Sequence, residues 1–176
     1  MRFTTRKIRD MVVFALLAAT MMTTQIALFS LPGIQFNGLI IAAITLAYRK
    51  RALIPIYVYV MLYCLHFGFN WLNFAYFYIW LPLWGMFMLA GKLKIKADEK
   101  APVYMLLCGL YGLSFGLLYA PVNAMIFGLD FHRAMLWVKA GFFFADVPHG
   151  ITNFVLGIGI FPLSELLKKL DRGQIR

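Results

Sequence analysis

Three polar side chains in the last third of the chain are the first candidates for chemistry. Asp146, His149 and Asn153 are spaced i, i+3, i+7, so on a helix they share one face. A carboxylate, an imidazole and an amide so placed can cap a helix, bridge two helices or form one wall of a ligand pocket. A second group is aromatic. Phe67, Phe69, Trp71, Phe74, Tyr76, Phe77, Tyr78, Trp80 and Trp84 put nine rings within 18 positions, with Asn70 and Asn73 interleaved. An interfacial belt accounts for the rings, whereas amides among flat faces suit a planar, polar ligand. Gln35, Asn37, Asn123, Asp130, His132 and Trp137 complete the set, with Gln35 and Asn37 expected at a mouth just after the Pro32-Gly33 turn. A third feature is made of small residues: Ala15, Ala18 and Ala19, of which Ala15 and Ala19 are four apart on one helix face. Small residues let another helix approach closely in lipid, either a partner's or one of the chain's own.

Much chemistry is absent. No GxxxxGK[ST] run is present to cradle a nucleotide, and no HExxH or GxSxG motif is present either. His66, His132 and His149 stand in separate segments without metal-ligand spacing, so neither a metal nor a cofactor is expected. Cys64 and Cys108 lie inside apolar runs and read as small hydrophobes, without a CxxC pair. No nucleophile–base pair points to a catalytic residue, so an enzyme is not expected.

The elements that position these residues follow from composition. Of 176 residues, 62% are hydrophobic and only 14% are charged, and the mean hydropathy is +0.78. A chain of this length cannot hide so much apolar surface from water. An ordinary soluble enzyme, a disordered tail and a disulfide scaffold are therefore excluded, leaving an all-α integral membrane protein of a single domain, residues 1–176. Apolar runs predict six spans: about Asp10 to Leu31, Ile34 to Tyr48, Ala52 to His66, Trp71 to Ala90, Pro102 to Phe127, and a sixth starting between Phe142 and Pro148 and ending near Leu167. Spans two and three are short for a full crossing. The first is too long for the core of a cleavable signal peptide and leads straight into more membrane sequence.

The cations set the orientation. Of 17 lysines and arginines, all but Arg133 and Lys139 fall in four places: Arg2 to Arg9, Arg49 to Arg51, Lys92 to Lys100, and Lys168 to Arg176. The positive-inside rule then puts those four places, and both termini, in the cytoplasm of a multi-pass protein of the cell membrane. The net charge of +10 is thus an orientation signal and a contact for lipid headgroups rather than a nucleic-acid surface.

This pattern resembles the substrate-binding S components of energy-coupling factor (ECF) vitamin transporters. Ala15-Leu16-Leu17-Ala18-Ala19 is similar to that family's AxxxA motif. The opening Thr5-Arg6-Lys7-Ile8-Arg9, the turn Lys50-Arg51-Ala52-Leu53, and Asp146-x-x-His149-x-x-x-Asn153-Phe154 also look like family features. The resemblance implies six helices with a vitamin bound under the outer loops, and docking through the first helix onto a transmembrane coupling subunit driven by two ATP-binding-cassette ATPases. By position it implies docking by Ala15 and Ala19. It likewise implies a pocket that includes Asn70, Trp71, His149 and Asn153. The Met-His start of the nickel and cobalt branch is missing. With only Arg133 and Lys139 outside, carboxylate ligands are disfavoured. The closest likeness is to the cobalamin type, followed by pyridoxine-like, pyrimidine or queuosine precursors. A stand-alone channel or carrier would need a polar path that the inner halves of the spans do not offer. An intramembrane enzyme would have to work with Asp146 and His149.

Overall fold

The computed structural model describes residues 2–31 and 33–172, with side chains from Lys7 onward. Pro32, Arg176 and the side chains of Arg2, Thr5 and Arg6 lie outside the described residues. Among the described residues every regular element is a helix. Helix α1 spans Arg2–Ala27, α2 Asn37–Tyr48, α3 Leu53–Phe67, α4 Trp71–Phe74 and α5 Tyr76–Ala90. Then follow α6 Lys100–Leu113, α7 Phe115–Phe127, α8 Phe131–Gly141, α9 Val147–Leu156 and α10 Ile160–Asp171. Among the described residues four helical runs are long and apolar enough to cross a membrane: Lys7–Ala27, Trp71–Ala90, Lys100–Phe127 and Phe131–Asp171. Helices α2 and α3 are shorter, at 12 and 15 residues.

Helix α2 is the centre of the packing. Its sequence, NGLIIAAITLAY, is apolar nearly all round, and ten of its residues are buried. Such a helix belongs in the interior rather than against lipid. It touches α1, α5, α6 and α10. At about 1.5 Å per residue it is only about 18 Å long, so the chain between α1 and α2 turns inward. Gly33 is buried there, with φ 80°, a conformation that favours glycine. A Cβ on Gly33 would also collide with Pro148 at the start of α9.

One structural difference from the sequence expectation concerns the sixth run. It begins at Phe131, not between Phe142 and Pro148. The Asp130 side chain accepts a hydrogen bond from the Arg133 N–H at 2.8 Å and caps α8. Arg133 and Lys139, which look like loop residues in sequence, sit on the exposed side of that helix, while Ala134 packs inward against α7. A π-helical turn over Phe142–Asp146 then joins α8 to α9.

Three of the cation-bearing places meet through side chains at one end of the molecule. Arg51 reaches Asp10 at 2.8 Å and Asp171 at 2.9 Å, and Arg9 donates to the Asp171 carbonyl at 2.8 Å. The two terminal helices and the α2–α3 turn are thereby tied together. Burial pulls the Arg51 pKa down, but its bonds to Asp171 and the charges of Asp171 and Asp10 outweigh that and raise it. Arg49, at φ 56°, turns the chain out of α2, and its guanidinium donates to the Met88 carbonyl at 2.9 Å, next to the α5 end at Gly91.

Two glycines make opposite predictions. A Cβ on Gly38 of α2 would strike the Asn153 amide of α9, whereas one on Gly85 of α5 meets nothing within 4 Å. Thermal unfolding in detergent should show Gly38→Ala destabilised by about 1–3 kcal/mol through overpacking. Gly85→Ala should be neutral or more stable by up to about 1 kcal/mol through helix propensity.

Candidate functional site

The hollows on the outer face of α3, lined by Leu53, Ile54, Tyr57, Val58, Met61 and Leu62, and between α6 and α9 are walled almost wholly by apolar groups. A different hollow, of about 220 Å3, lies at the end away from the ion-pair cluster. Six segments build it: Gln25 at the end of α1, the inward turn with Gly33 and Gln35, Tyr63 on α3, Tyr76 on α5, Phe115 on α7 and His149 on α9. No Asp, Glu, Lys or Arg lines it among the described residues.

Its walls are flat. The Tyr63 and Tyr76 rings stack with centroids 3.9 Å apart, and the Phe115 and His149 rings stack at 4.7 Å with an interplanar angle of 11°. Beneath Gln25 lies a buried polar network. The Asn37 amide donates to Gln25 Oε1 and to the Tyr59 hydroxyl, each at 2.9 Å, and the Tyr59 hydroxyl donates to Gln25 Oε1 at 3.3 Å. Thr24 closes the set at 3.5 Å from Asn37 Oδ1. Below that the interior is apolar: Ile41, Ile44, Ile56, Ile79 and Leu83 are fully enclosed. Trp80 is surrounded by Tyr59, Tyr76, Tyr111 and Phe115, and its Nε1 is the buried side-chain polar atom without a partner among the described residues. The π faces around it are the weak acceptors at hand.

The candidate residues are distributed unevenly around this hollow. Gln35, Tyr76 and His149 line it, and Asn37 holds its floor. Gln35 and Asn37 are not at a rim, however; both are buried, because the short α2 draws its N-terminal end inward. Asp146, His149 and Asn153 do share one face, which packs onto other helices. Asp146 does not cap its own helix. Its carboxylate accepts the Gly116 N–H at 2.7 Å. Ser114 separates α6 from α7 and leaves the first N–H groups of α7 without helical acceptors, so Asp146 caps α7 from across the interface. Asn153 sits between α2 and α6, beside Gly38, Gly112 and the Cys108 thiol. His149 Nδ1 pairs with the Ala145 carbonyl at 2.9 Å, so Asp146 and His149 are each engaged elsewhere.

The aromatic turn is built differently from the hollow. Asn70 accepts from the Asn73 N–H at 3.0 Å and caps α4, and Asn73 donates to the Gly68 carbonyl at 2.7 Å, so both amides shape the turn itself. Trp71 is exposed and borders a separate hollow with Met125 and Ile126, while Asn123 is buried within α7. Ala15 and Ala19 face outward on α1, and Ala18 is fully buried on its inner side. Gln25, Tyr63 and Phe115 line the hollow without having stood out in sequence. Gln25 left a trace, a long amide inside an apolar run where an unpaired polar group is costly. The two rings left none among so many.

Among the described residues no three His, Cys, Asp or Glu side chains come together to hold a metal. The cross-helix cap is testable by thermal unfolding in detergent. Asp146→Ala should cost about 1–3 kcal/mol by stranding the Gly116 N–H, and Asp146→Asn, which keeps an acceptor, should cost less. No family model, curated protein or solved structure matches this chain.

Proposed function

We propose that this chain is a substrate-binding S component of an energy-coupling factor type transporter in the cell membrane. It would cross the membrane six times with both termini in the cytoplasm. The observation that carries this reading is a ring-walled, uncharged hollow, closed below by a hydrogen-bonded network and then by apolar core, opposite the end where the cations gather. A closed floor suits capture of a ligand and does not suit a pore. It therefore weighs against the channel reading, and the separate engagement of Asp146 and His149 weighs against an intramembrane enzyme. The inward turn between α1 and α2 is also what membrane depth allows, since irregular backbone there has to be buried or line a cavity. With ten of its twelve residues buried, α2 is sheltered from lipid by its neighbours, so it does not itself have to match the bilayer thickness.

Energy would come from partners, in keeping with the missing nucleotide motif. Helix α1 is the natural docking face, because Ile8, Met11, Val12, Ala15, Leu16 and Ala19 are all exposed along it. The transmembrane coupling subunit would seat there and would itself be driven by two cytoplasmic ATPases. For the ligand, about 220 Å3 lies below the roughly 300–1,000 Å3 of sites that take drug-sized molecules. That supports a single-ring vitamin or precursor, of pyridoxine or pyrimidine size, over cobalamin.

Two measurements check this reading. Ala15→Trp and Ala19→Trp should each abolish uptake and co-purification with the coupling subunit while ligand binding by the isolated protein is kept. Normal transport by both variants would remove the docking role. Asn70→Cys should react with a membrane-impermeant maleimide added outside intact cells, and Lys94→Cys only after lysis. The native Cys64 and Cys108 are buried and supply little background. The reverse pattern would invert the topology and end the proposal.

A further inference from the structure

Taking the hollow as the ligand seat of that transporter, its hydrogen-bonding groups define what it would accept. Gln25 Oε1 already receives two hydrogen bonds, from the Asn37 amide and the Tyr59 hydroxyl. What Gln25 has left for the hollow it lines is therefore its NH2, a donor. His149 is constrained in the opposite sense. The Ala145 carbonyl carries no proton, so Nδ1 supplies it, and the neutral ring keeps Nε2 as an acceptor. Gln35 is 7% exposed and lines the same hollow, and among the described residues no hydrogen bond reaches its amide. Its amide opens on the hollow, where it offers both a donor and an acceptor to a ligand.

We propose that the hollow is built for a small, neutral, planar heterocycle carrying adjacent acceptor and donor edges, a carboxamide, lactam or aminopyrimidine type of ring. Its acceptor meets the Gln25 NH2, its donor meets His149 Nε2, and Gln35 pairs with either edge. The stacked Tyr63–Tyr76 and Phe115–His149 pairs supply flat faces for the ring. Charge is disfavoured in both directions. An anion finds no Lys or Arg in the lining, and a desolvated charge without a partner is costly. A cation finds no carboxylate in the lining, only ring faces, neutral acceptors and the positive end of the Gln25 NH2. The volume admits one ring and excludes a corrin.

The test uses the full chain in detergent and titration calorimetry with rings of one size: nicotinamide (neutral, donor and acceptor), nicotinate (anionic), 1-methylnicotinamide (cationic) and toluene (no polar edge). Nicotinamide should bind saturably and about tenfold or more tighter than each of the other three, the scale of one lost hydrogen bond or more. Gln25→Met and Gln35→Met should each weaken it by about tenfold, and Trp71→Phe, outside the hollow, should not. Because Gln25 belongs to the buried network, Gln35→Met is the variant whose folding is safest, and a native melting profile checks it. The inference is overturned if nicotinate or 1-methylnicotinamide binds as well as nicotinamide, if none of the rings binds, or if Gln35→Met binds like the native protein. Cobalamin binding more tightly than the single rings would also overturn it while leaving the carrier reading intact. Nicotinamide binding by a protein that never recruits a coupling subunit would have the reverse meaning.

Discussion

Hydrocarbon offers no hydrogen bonds, so every polar group carried below the membrane surface has to find its partner inside the protein. Much of this structure follows from that demand at one place, the inward turn between α1 and α2. The turn carries backbone into the interior beside the end of α1, where Gln25 accepts from Asn37 and Tyr59, and Thr24 donates to Asn37. Gln35 is brought in as well and is left facing open space. The hollow exists because the chain turns early, and it is polar because Gln35 in the turn and Gln25 at the end of α1 both line it.

The turn depends in turn on how tightly α2 can be surrounded. Gly38 admits the Asn153 amide, and Gly33 admits Pro148. Both contacts come from α9, so α9 is held against α2 and the turn at two heights. The same helix carries His149 into the hollow, and Asp146 just before it caps α7. One face of one helix thus fixes the depth of the turn, the start of its neighbour and a wall of the cavity. Ion pairs at the far end, centred on Arg51, tie together the ends of α1 and α10 and keep the bundle from splaying there.

Reading the sequence alone reaches the helical class, the grouping of cations and the shared face of Asp146, His149 and Asn153. These rest on local quantities: hydropathy over a window, charge in the breaks, and a spacing of three and four. It overestimates the aromatic turn, where Asn70 and Asn73 serve the backbone. A capping amide and a ligand-facing amide look identical until the carbonyls around them are placed. It also misses the start of the sixth helical run, since Arg133 and Lys139 on an exposed helix side read like a loop. Tyr63 and Phe115 were hidden for a different reason. In a chain with 17 Phe and 9 Tyr, nothing local tells a wall ring from a core ring, and only the crossing of α3, α7 and α9 does so.

The bond from Asp146 to the Gly116 N–H ties together two interruptions, the Ser114 break and the π-helical turn, on the two legs of the α7–α8 hairpin. Mechanically this makes a fulcrum. Phe115 is one residue from it at the start of α7, and His149 is three residues past it on α9. Tilting the hairpin about this point would turn Phe115 against a His149 held on α9, so the width of the slot is geared to the angle of a helix pair that extends well beyond it.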